Sequence, residues 1–323
     1  MPAPTAQRIQ TADGGALEVV HLDSGAPGPT VAILAGVHGN EVAGIVALAQ
    51  FARDGLPLTA GRVRLLPVAH PAAHDANLRV SPVDGLNLAR VFPGAVDGRP
   101  TEQVAAAITA HVIDGADVLI DLHTSSPDTD MPFFAGCLDD GSPGCDLAVA
   151  LCEAFGAGVV WTHPSNGPGR TVTHAQELGI PALYVESPRG GVLTTETLAG
   201  YREGVLRILA HLGMVASAPP GRATSLRLHG NGDVDRAAST PSAGYFVTER
   251  ALLDDVAAGD VIGRVIDRAG AEAFVCTAPA DGVITVLRRQ AIVAPGDVLF
   301  ELGTRRPDTR GSHNTAEGGS SWT

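Results

Sequence analysis

The chain has 323 residues, 45% of them hydrophobic and 4% aromatic, enough for a packed core built from aliphatic side chains and from tight turns at its 39 glycines. Its 35 acidic and 22 basic residues give a formal net charge of −13, a field that repels phosphate backbones and anionic lipid and so argues against nucleic-acid and membrane partners. Apart from histidine every basic residue is arginine, and the lack of lysine removes Schiff-base chemistry, the phosphate-loop Gly-Lys-Ser/Thr, and biotin or lipoyl attachment.

The N-terminal MPAPTAQRIQ has no basic-then-apolar leader pattern, and no apolar run approaches the roughly 20 residues of a membrane span. Cys137, Cys145, Cys152 and Cys276 match neither a zinc knuckle nor a redox pair, so reduced, structural thiols and a cytoplasmic location are expected. From residue 29, short apolar runs (TVAILAG, RVRLLPVA, ADVLIDLH, GVVWTH, IPALYVES) alternate with longer mixed segments such as the helical EVAGIVALAQFAR. Strands separated by helices predict an α/β fold, a mixed central sheet covered on both faces. Leu198, Val205, Ile208, Leu209 and Leu212, at helical spacing, predict a long amphipathic helix closing a domain over 1–215.

The Pro/Gly/Ser stretch ASAPPGRATS reads as a linker. Beyond it, GYFVTE, GDVIGRVID, EAFVCTAPADGVITVLR and PGDVLFELG predict a smaller all-β module over 222–303. The polar, glycine-rich 304–323 reads as a disordered tail.

Three places carry chemistry. In GVHGNEVAG, His38 and Glu41 are three apart where a helix begins, and such a pair on the first helical turn shares one side and can share one cation. In DVLIDLHTSS, strand alternation sends Asp121 and His123 to the same face, where the carboxylate can orient the imidazole. In IPALYVESPRGG, Glu186 follows a strongly apolar strand, a dry setting that raises the proton affinity of a carboxylate toward that of a general base. Together His38, Glu41 and His123 supply the three protein ligands of an open catalytic zinc site.

These pieces, with DGLNLARVFPG at 84–94, DLHT at 121–124 and GPGRTVTHAQELGIPALYVE at 167–186, resemble the succinylglutamate desuccinylase and aspartoacylase family, related to the zinc carboxypeptidases. The correspondence runs over most of 29–303. The resemblance implies a zinc carboxypeptidase-like fold and one zinc ion per chain on His38, Glu41 and His123. It also implies a general base at Glu186 and hydrolysis of the amide of a small N-acylated amine or amino acid. By analogy with the family Arg79 takes the developing oxyanion and Arg90 an anionic group on the substrate, roles that suit a guanidinium fork. Asn87, Arg189 and His174 complete the expected substrate-binding set, and His70, His74 and His163 remain candidates for pocket lining.

Two departures point to a rebuilt pocket. Ala89 precedes Arg90 where the family carries an asparagine that helps hold a substrate carboxylate, and Ser187, Pro188 and Arg189 follow the base where glycine is more common. The β module resembles a lipoyl-like or biotinyl-like hairpin but has no attachment lysine, leaving it to narrow the pocket mouth, to support a homo-oligomer, or to act as a stabilising appendage. Three other readings stand beside the deacylase. A serine hydrolase could use Ser125 or Ser126, although no G-x-S-x-G elbow exists. A zinc carboxypeptidase could act on peptides, and an inactive relative could only bind ligand.

Overall fold

The computed structural model describes residues 4–230 and 237–306. An N-terminal hairpin of β1 (Thr5–Gln10) and β2 (Ala16–Asp23) precedes β3 (Thr30–Ala35), α1 (Val42–Asp54), β4 (Arg62–Leu66), α2 (Pro71–Asp75) and α3 (Pro100–Ile108). Then follow β5 (Val118–Leu122), β6 (Thr129–Asp130), β7 (Phe134–Leu138), α4 (Cys145–Phe155), β8 (Ala157–His163), α5 (Thr171–Glu177), β9 (Ala182–Glu186) and α6 (Thr195–His211). The remainder is β: β10 (Arg222–His229), β11 (Ala238–Ser239), β12 (Gly244–Thr248), β13 (Asp255–Val256), β14 (Val261–Ile266), β15 (Glu272–Thr277), β16 (Gly282–Arg288), β17 (Ile292–Val293) and β18 (Val298–Arg305).

One mixed sheet runs in the order β1-β2-β4-β3-β5-β9-β7-β8-β10-β18-β16-β13, with β4, β3, β5 and β9 mutually parallel and β7 antiparallel to β9. Strand alternation explains why β3 is apolar throughout. Val31, Ile33 and Ala35 pack on the side of α1, α4 and α6, while Ala32 and Leu34 pack with α3 and α5. In β5, Val118, Ile120 and Leu122 take the first side and Leu119 the second, so Asp121 emerges toward α5. The same alternation places Tyr184 and Glu186 of β9 on that face.

The predicted closing helix is α6, capped by the Thr194 hydroxyl, which accepts from the Thr197 N–H at 3.1 Å. Its Gly204 lets the Phe155 ring approach so closely that a Cβ there would lie 2.3 Å from it. The expected linker is shorter than its composition suggests. From Arg222 the chain is already β10, parallel to β8 and antiparallel to β18, so the central sheet continues into the C-terminal strands. A second sheet, β15-β14-β12-β17, sits beyond it. Thr304 and Arg305 finish β18 rather than begin a tail, and 307–323 lie outside the described residues. The short apolar runs do not predict the exposed β1 or the fully buried β7, a strand (FAGCL) with three small residues at its centre and no β-branched side chain. All four cysteines are buried free thiols. Among the described residues no helix is long and apolar enough to cross a membrane.

Candidate active site

The loop after β3 is built to hold two polar side chains still. His38 and Glu41 fall in the turn that precedes α1, not on its first helical turn: the helix begins at Val42, and Glu41 is its N-cap with φ −99°. The Glu41 N–H donates to the His38 carbonyl at 3.2 Å, which brings both side chains to one side as a helical turn would. Between them, Gly39 lies so close to α2 that a Cβ would come within 2.1 Å of the Ala73 carbonyl carbon, and the Gly39 carbonyl accepts from His74 Nδ1 at 2.9 Å. The loop is thus clamped from below by α2.

His123 arrives from the end of β5, where its N–H donates to the Val185 carbonyl of β9 at 2.8 Å. One ligand atom from each of His38, Glu41 and His123 lies within 4.8 Å of the others. The outer nitrogen of each ring is tethered to an acceptor: His38 Nε2 to Asn87 Oδ1 at 3.2 Å, His123 Nε2 to Asp121 Oδ2 at 3.0 Å. Each Nε2 therefore carries a proton, and each ring turns Nδ1 toward Glu41, at 2.8 and 2.9 Å. Asp121 is itself held by the Thr171 hydroxyl at the start of α5. The Thr124 N–H donates to Glu41 Oε2 at 3.1 Å.

Charge at this cluster calls for a cation. Burial pushes the His38 imidazole down to about 4, so its Nδ1 is a bare lone pair, and although 2.8 Å from Glu41 it makes no aligned hydrogen bond. Burial also opposes charge on Glu41 and His123. The neighbouring histidines nonetheless hold the Glu41 carboxyl well below the usual range, while Asp121 and Glu41 raise the His123 imidazole well above its own. The site draws positive charge between two carboxylates, and a divalent cation fits that demand with one imidazole lone pair already exposed.

Glu186 ends β9 beside this cluster. Burial first, and then the Glu41 charge, push its carboxyl up to about 8, and its Oε2 has no hydrogen-bond partner. Arg79 donates to Glu41 Oε1 at 2.8 Å from a side chain 36% exposed, so in this structure the guanidinium rests on a cluster residue while lining the cavity.

These groups open into one cavity of about 570 Å³, of small-molecule size. It gathers His38, His123, Glu186, Arg79, Asn87 and Arg90. Asn87 faces it with an oxygen already engaged by His38 and by the Ala89 N–H, so its first role is to fix a ring rather than to bind substrate. Two expected members lie elsewhere. Arg189 is exposed, in the left-handed region at φ 59°, and does not line the cavity. His174 is buried on the core side of α5 beside Val172 and Ala175, 3.5 Å from Glu177. The α5 stretch instead contributes Arg170, at the helix N-cap, and the preceding loop contributes Asn166. Ala89 lines the wall. His70, His74 and His163 are all outside the lining.

The sequence reading also missed Trp161, Tyr184 and Glu301. Tyr184 was legible in principle, two residues before Glu186 on the same strand face; Glu301 was not, because only the path of β18 along the sheet brings it here. The C-terminal strands supply Ser239, Arg288, Asp297 and Val298 as well. Ser125 Oγ accepts from the Gly190 N–H and Ser126 Oγ pairs with Thr129, while both nitrogens of His123 are engaged by carboxylates, so no serine nucleophile is assembled.

Residues 27–212, more than half of the chain, match the succinylglutamate desuccinylase/aspartoacylase catalytic domain. An N-alpha-acetyl-L-2,4-diaminobutyric acid deacetylase from Halomonas elongata is 32% identical over 280 residues, covering 84% of this chain and 81% of that protein. Among solved structures, the ectoine utilization protein EutE (DoeB) from Ruegeria pomeroyi superposes with a TM-score of 0.83 at 24% identity, covering 94% of this chain and 97% of that one. An aspartoacylase family protein from Mesorhizobium loti superposes with a TM-score of 0.75 at 26% identity, covering 95% and 96%. On the domain match and the deacetylase relative together, the chain belongs to the succinylglutamate desuccinylase/aspartoacylase family.

Proposed function

We propose that this protein is a zinc-dependent deacylase that hydrolyses the amide of a small N-acylated amino compound, with zinc on His38, Glu41 and His123. The observation that carries the reading is the convergence of those three donors within 4.8 Å, beside a Glu186 carboxyl whose Oε2 is buried and without a partner. Zinc in an open site of this kind acidifies water and polarises a carbonyl.

The chain's own residues account for the rest. Glu186, with a proton affinity raised to about 8 before any cation is added, accepts the proton of the attacking water and passes it to the nitrogen as the C–N bond breaks. Water and amide give one carboxylic acid and one free amine. Arg79 supplies a guanidinium at the edge of the reacting carbonyl and offsets the charge that grows on its oxygen. Asp121 and Asn87 keep the two rings turned with Nδ1 inward. A cavity of about 570 Å³ walled partly by the C-terminal strands favours small molecules over peptides.

The test is to measure zinc content and then amine release from a panel of N-acetyl, N-succinyl and N-formyl amino acids. One zinc per chain is expected, with hydrolysis abolished by chelation and restored by zinc. Full hydrolysis by thoroughly metal-depleted protein overturns the reading.

A further inference from the structure

At the end of the cavity away from the metal cluster, β7, β8 and β9 bring four rings into contact. Centroids are 5.5 Å apart from Phe134 to Trp161, 5.1 Å from Trp161 to His163, 5.8 Å from His163 to Tyr184 and 5.6 Å from Tyr184 to Phe134. Trp161 and Tyr184 thus flank the same two rings, and together with Phe134 they line the cavity. Gly136, directly across from Tyr184 on β7, makes the room: a Cβ there would lie 2.6 Å from the Tyr184 ring.

Two polar atoms of this wall have a fixed and opposite sense. Trp161 is 2% exposed, and its indole Nε1, which can only donate, has no acceptor among the described residues. The cluster in which it packs, Phe134, Val159, Leu226, Leu228 and Val283, is apolar, so the acceptor has to come from an occupant of the cavity. Tyr184 is fixed the other way. His163 Nδ1 lies 2.9 Å from the Gly230 carbonyl, which can only accept, so Nδ1 carries the ring proton, and burial pushes this imidazole down to about 4, leaving Nε2 as a lone pair. Tyr184 Oη, 2.6 Å from that Nε2, donates its only proton to it and keeps acceptor capacity alone. Glu301 and Arg170 also line the cavity, but they are opposite in charge and each has a partner of its own. Arg288 is committed to Asp297 at 3.0 Å and to the carbonyls of Gln290 and Ile292. What the ring wall itself offers an occupant is one donor and one acceptor.

We infer that this wall is a specificity subsite for a neutral group that carries an acceptor and a donor side by side, as a primary carboxamide does, its oxygen accepting from Trp161 Nε1 and its nitrogen donating to Tyr184 Oη. An ammonium has no acceptor for Trp161, a carboxylate has no donor for Tyr184, and a hydrocarbon has neither, so each leaves a polar atom of the wall unpaired. The inference rests on the deacylase reading and adds a substrate class to it: N-acyl compounds with a carboxamide on the amine or at the end of the acyl chain. Tyr184 and Glu186 are two residues apart on one strand face, which spaces the subsite about 7 Å along β9 from the base, within reach of a short chain from the scissile amide.

The zinc-loaded enzyme is assayed in two arms that separate the sources of the carboxamide. The amine arm follows acetate release from the N-alpha-acetyl derivatives of glutamine, glutamate, ornithine and 2-amino-5-methylhexanoate, whose side chains are alike in length and end in a carboxamide, an anion, a cation and a hydrocarbon. The acyl arm follows norvaline release from its N-succinamoyl, N-succinyl and N-4-methylpentanoyl derivatives. In one arm kcat/KM for the carboxamide is expected to exceed that for every other member by about tenfold, mostly through KM. In that arm Trp161→Phe and Tyr184→Phe, which keep a ring, are each expected to shrink the carboxamide-to-hydrocarbon ratio about three- to tenfold at unchanged zinc content. Should one variant fail to fold, the other decides. No preference for the carboxamide in either arm, or a ratio that a folded variant leaves unchanged, overturns the inference and leaves the deacylase standing. Hydrolysis of none of these compounds, nor of the wider panel, overturns the deacylase reading and this inference with it.

Discussion

The two ends of the cavity are made differently. At the metal end, His38, Glu41, Asp121, His123 and Glu186 come from the exits of three adjacent parallel strands, β3, β5 and β9, and the first four hold one another in place while Glu186 stands beside them with its Oε2 unpartnered. At the far end, Phe134, Trp161, Tyr184 and Glu301 come from four strands spread over half the chain, and only the order β9-β7-β8-β10-β18 makes them neighbours. The reacting groups need particular residue types in short, rigid stretches. A wall that selects substrate needs only shape and sign, and any strand that passes can provide them.

The sharpest way to break this division is Glu186→Gln. If Glu186 moves the proton for every substrate, kcat falls by about 10²–10⁴ on all N-acyl compounds alike, while zinc content and melting temperature hold. A loss confined to one substrate would place Glu186 with the selecting wall instead. A smaller effect is expected at Asn87, whose oxygen holds His38 Nε2 at 3.2 Å. Asn87→Ala frees that ring, and zinc affinity, read by competition with a chelator on metal-free protein, should weaken about 10–100-fold. Unchanged affinity with a raised KM would return Asn87 to the substrate-binding role that the sequence suggests.

The division also explains what could be read from residues alone. Short apolar runs located β3, β4, β5, β8 and β9, because strands buried on both faces must be nearly continuous in hydrophobic residues. His38, Glu41, His123 and Glu186 were legible because each ends or follows such a run. His174 was misplaced because its motif is shared by two helix faces: the residue that opens α5, Arg170, turns to the cavity, while His174 one turn later packs into the core. Arg189 sits at the tight turn after β9 in the left-handed region, with its own side chain exposed while the following Gly190 is buried against Ser125 and Ser126. Glu301 carries no local signal at all. Its strand reads as one more alternating β segment, and its place depends on β10 joining the C-terminal strands to β8, in a stretch whose composition reads as a linker.

The ends differ last in how they respond to protons. At the far end neither His163 nor Tyr184 titrates between pH 5 and 8: burial keeps His163 neutral down to about 4 and holds the Tyr184 phenol well above its ordinary range. The metal end does titrate. In metal-free protein the Glu186 carboxyl titrates at about 8, against an ordinary value of 4.5. Between those two values the folded state keeps a proton that the unfolded state has released, so this group stabilises the fold fully below the lower value and progressively less as pH rises to the upper one. Across the single unit from pH 6 to pH 7 the loss is about 1.4 kcal/mol. Denaturant unfolding of the metal-free protein should therefore show stability falling over that unit more steeply than in Glu186→Gln, by about that amount, and Tyr184→Phe should keep the parent slope. Parallel profiles for the parent and Glu186→Gln would mean that the Glu186 carboxyl is already ionised without the metal, and the proton it is proposed to carry would have to be held elsewhere.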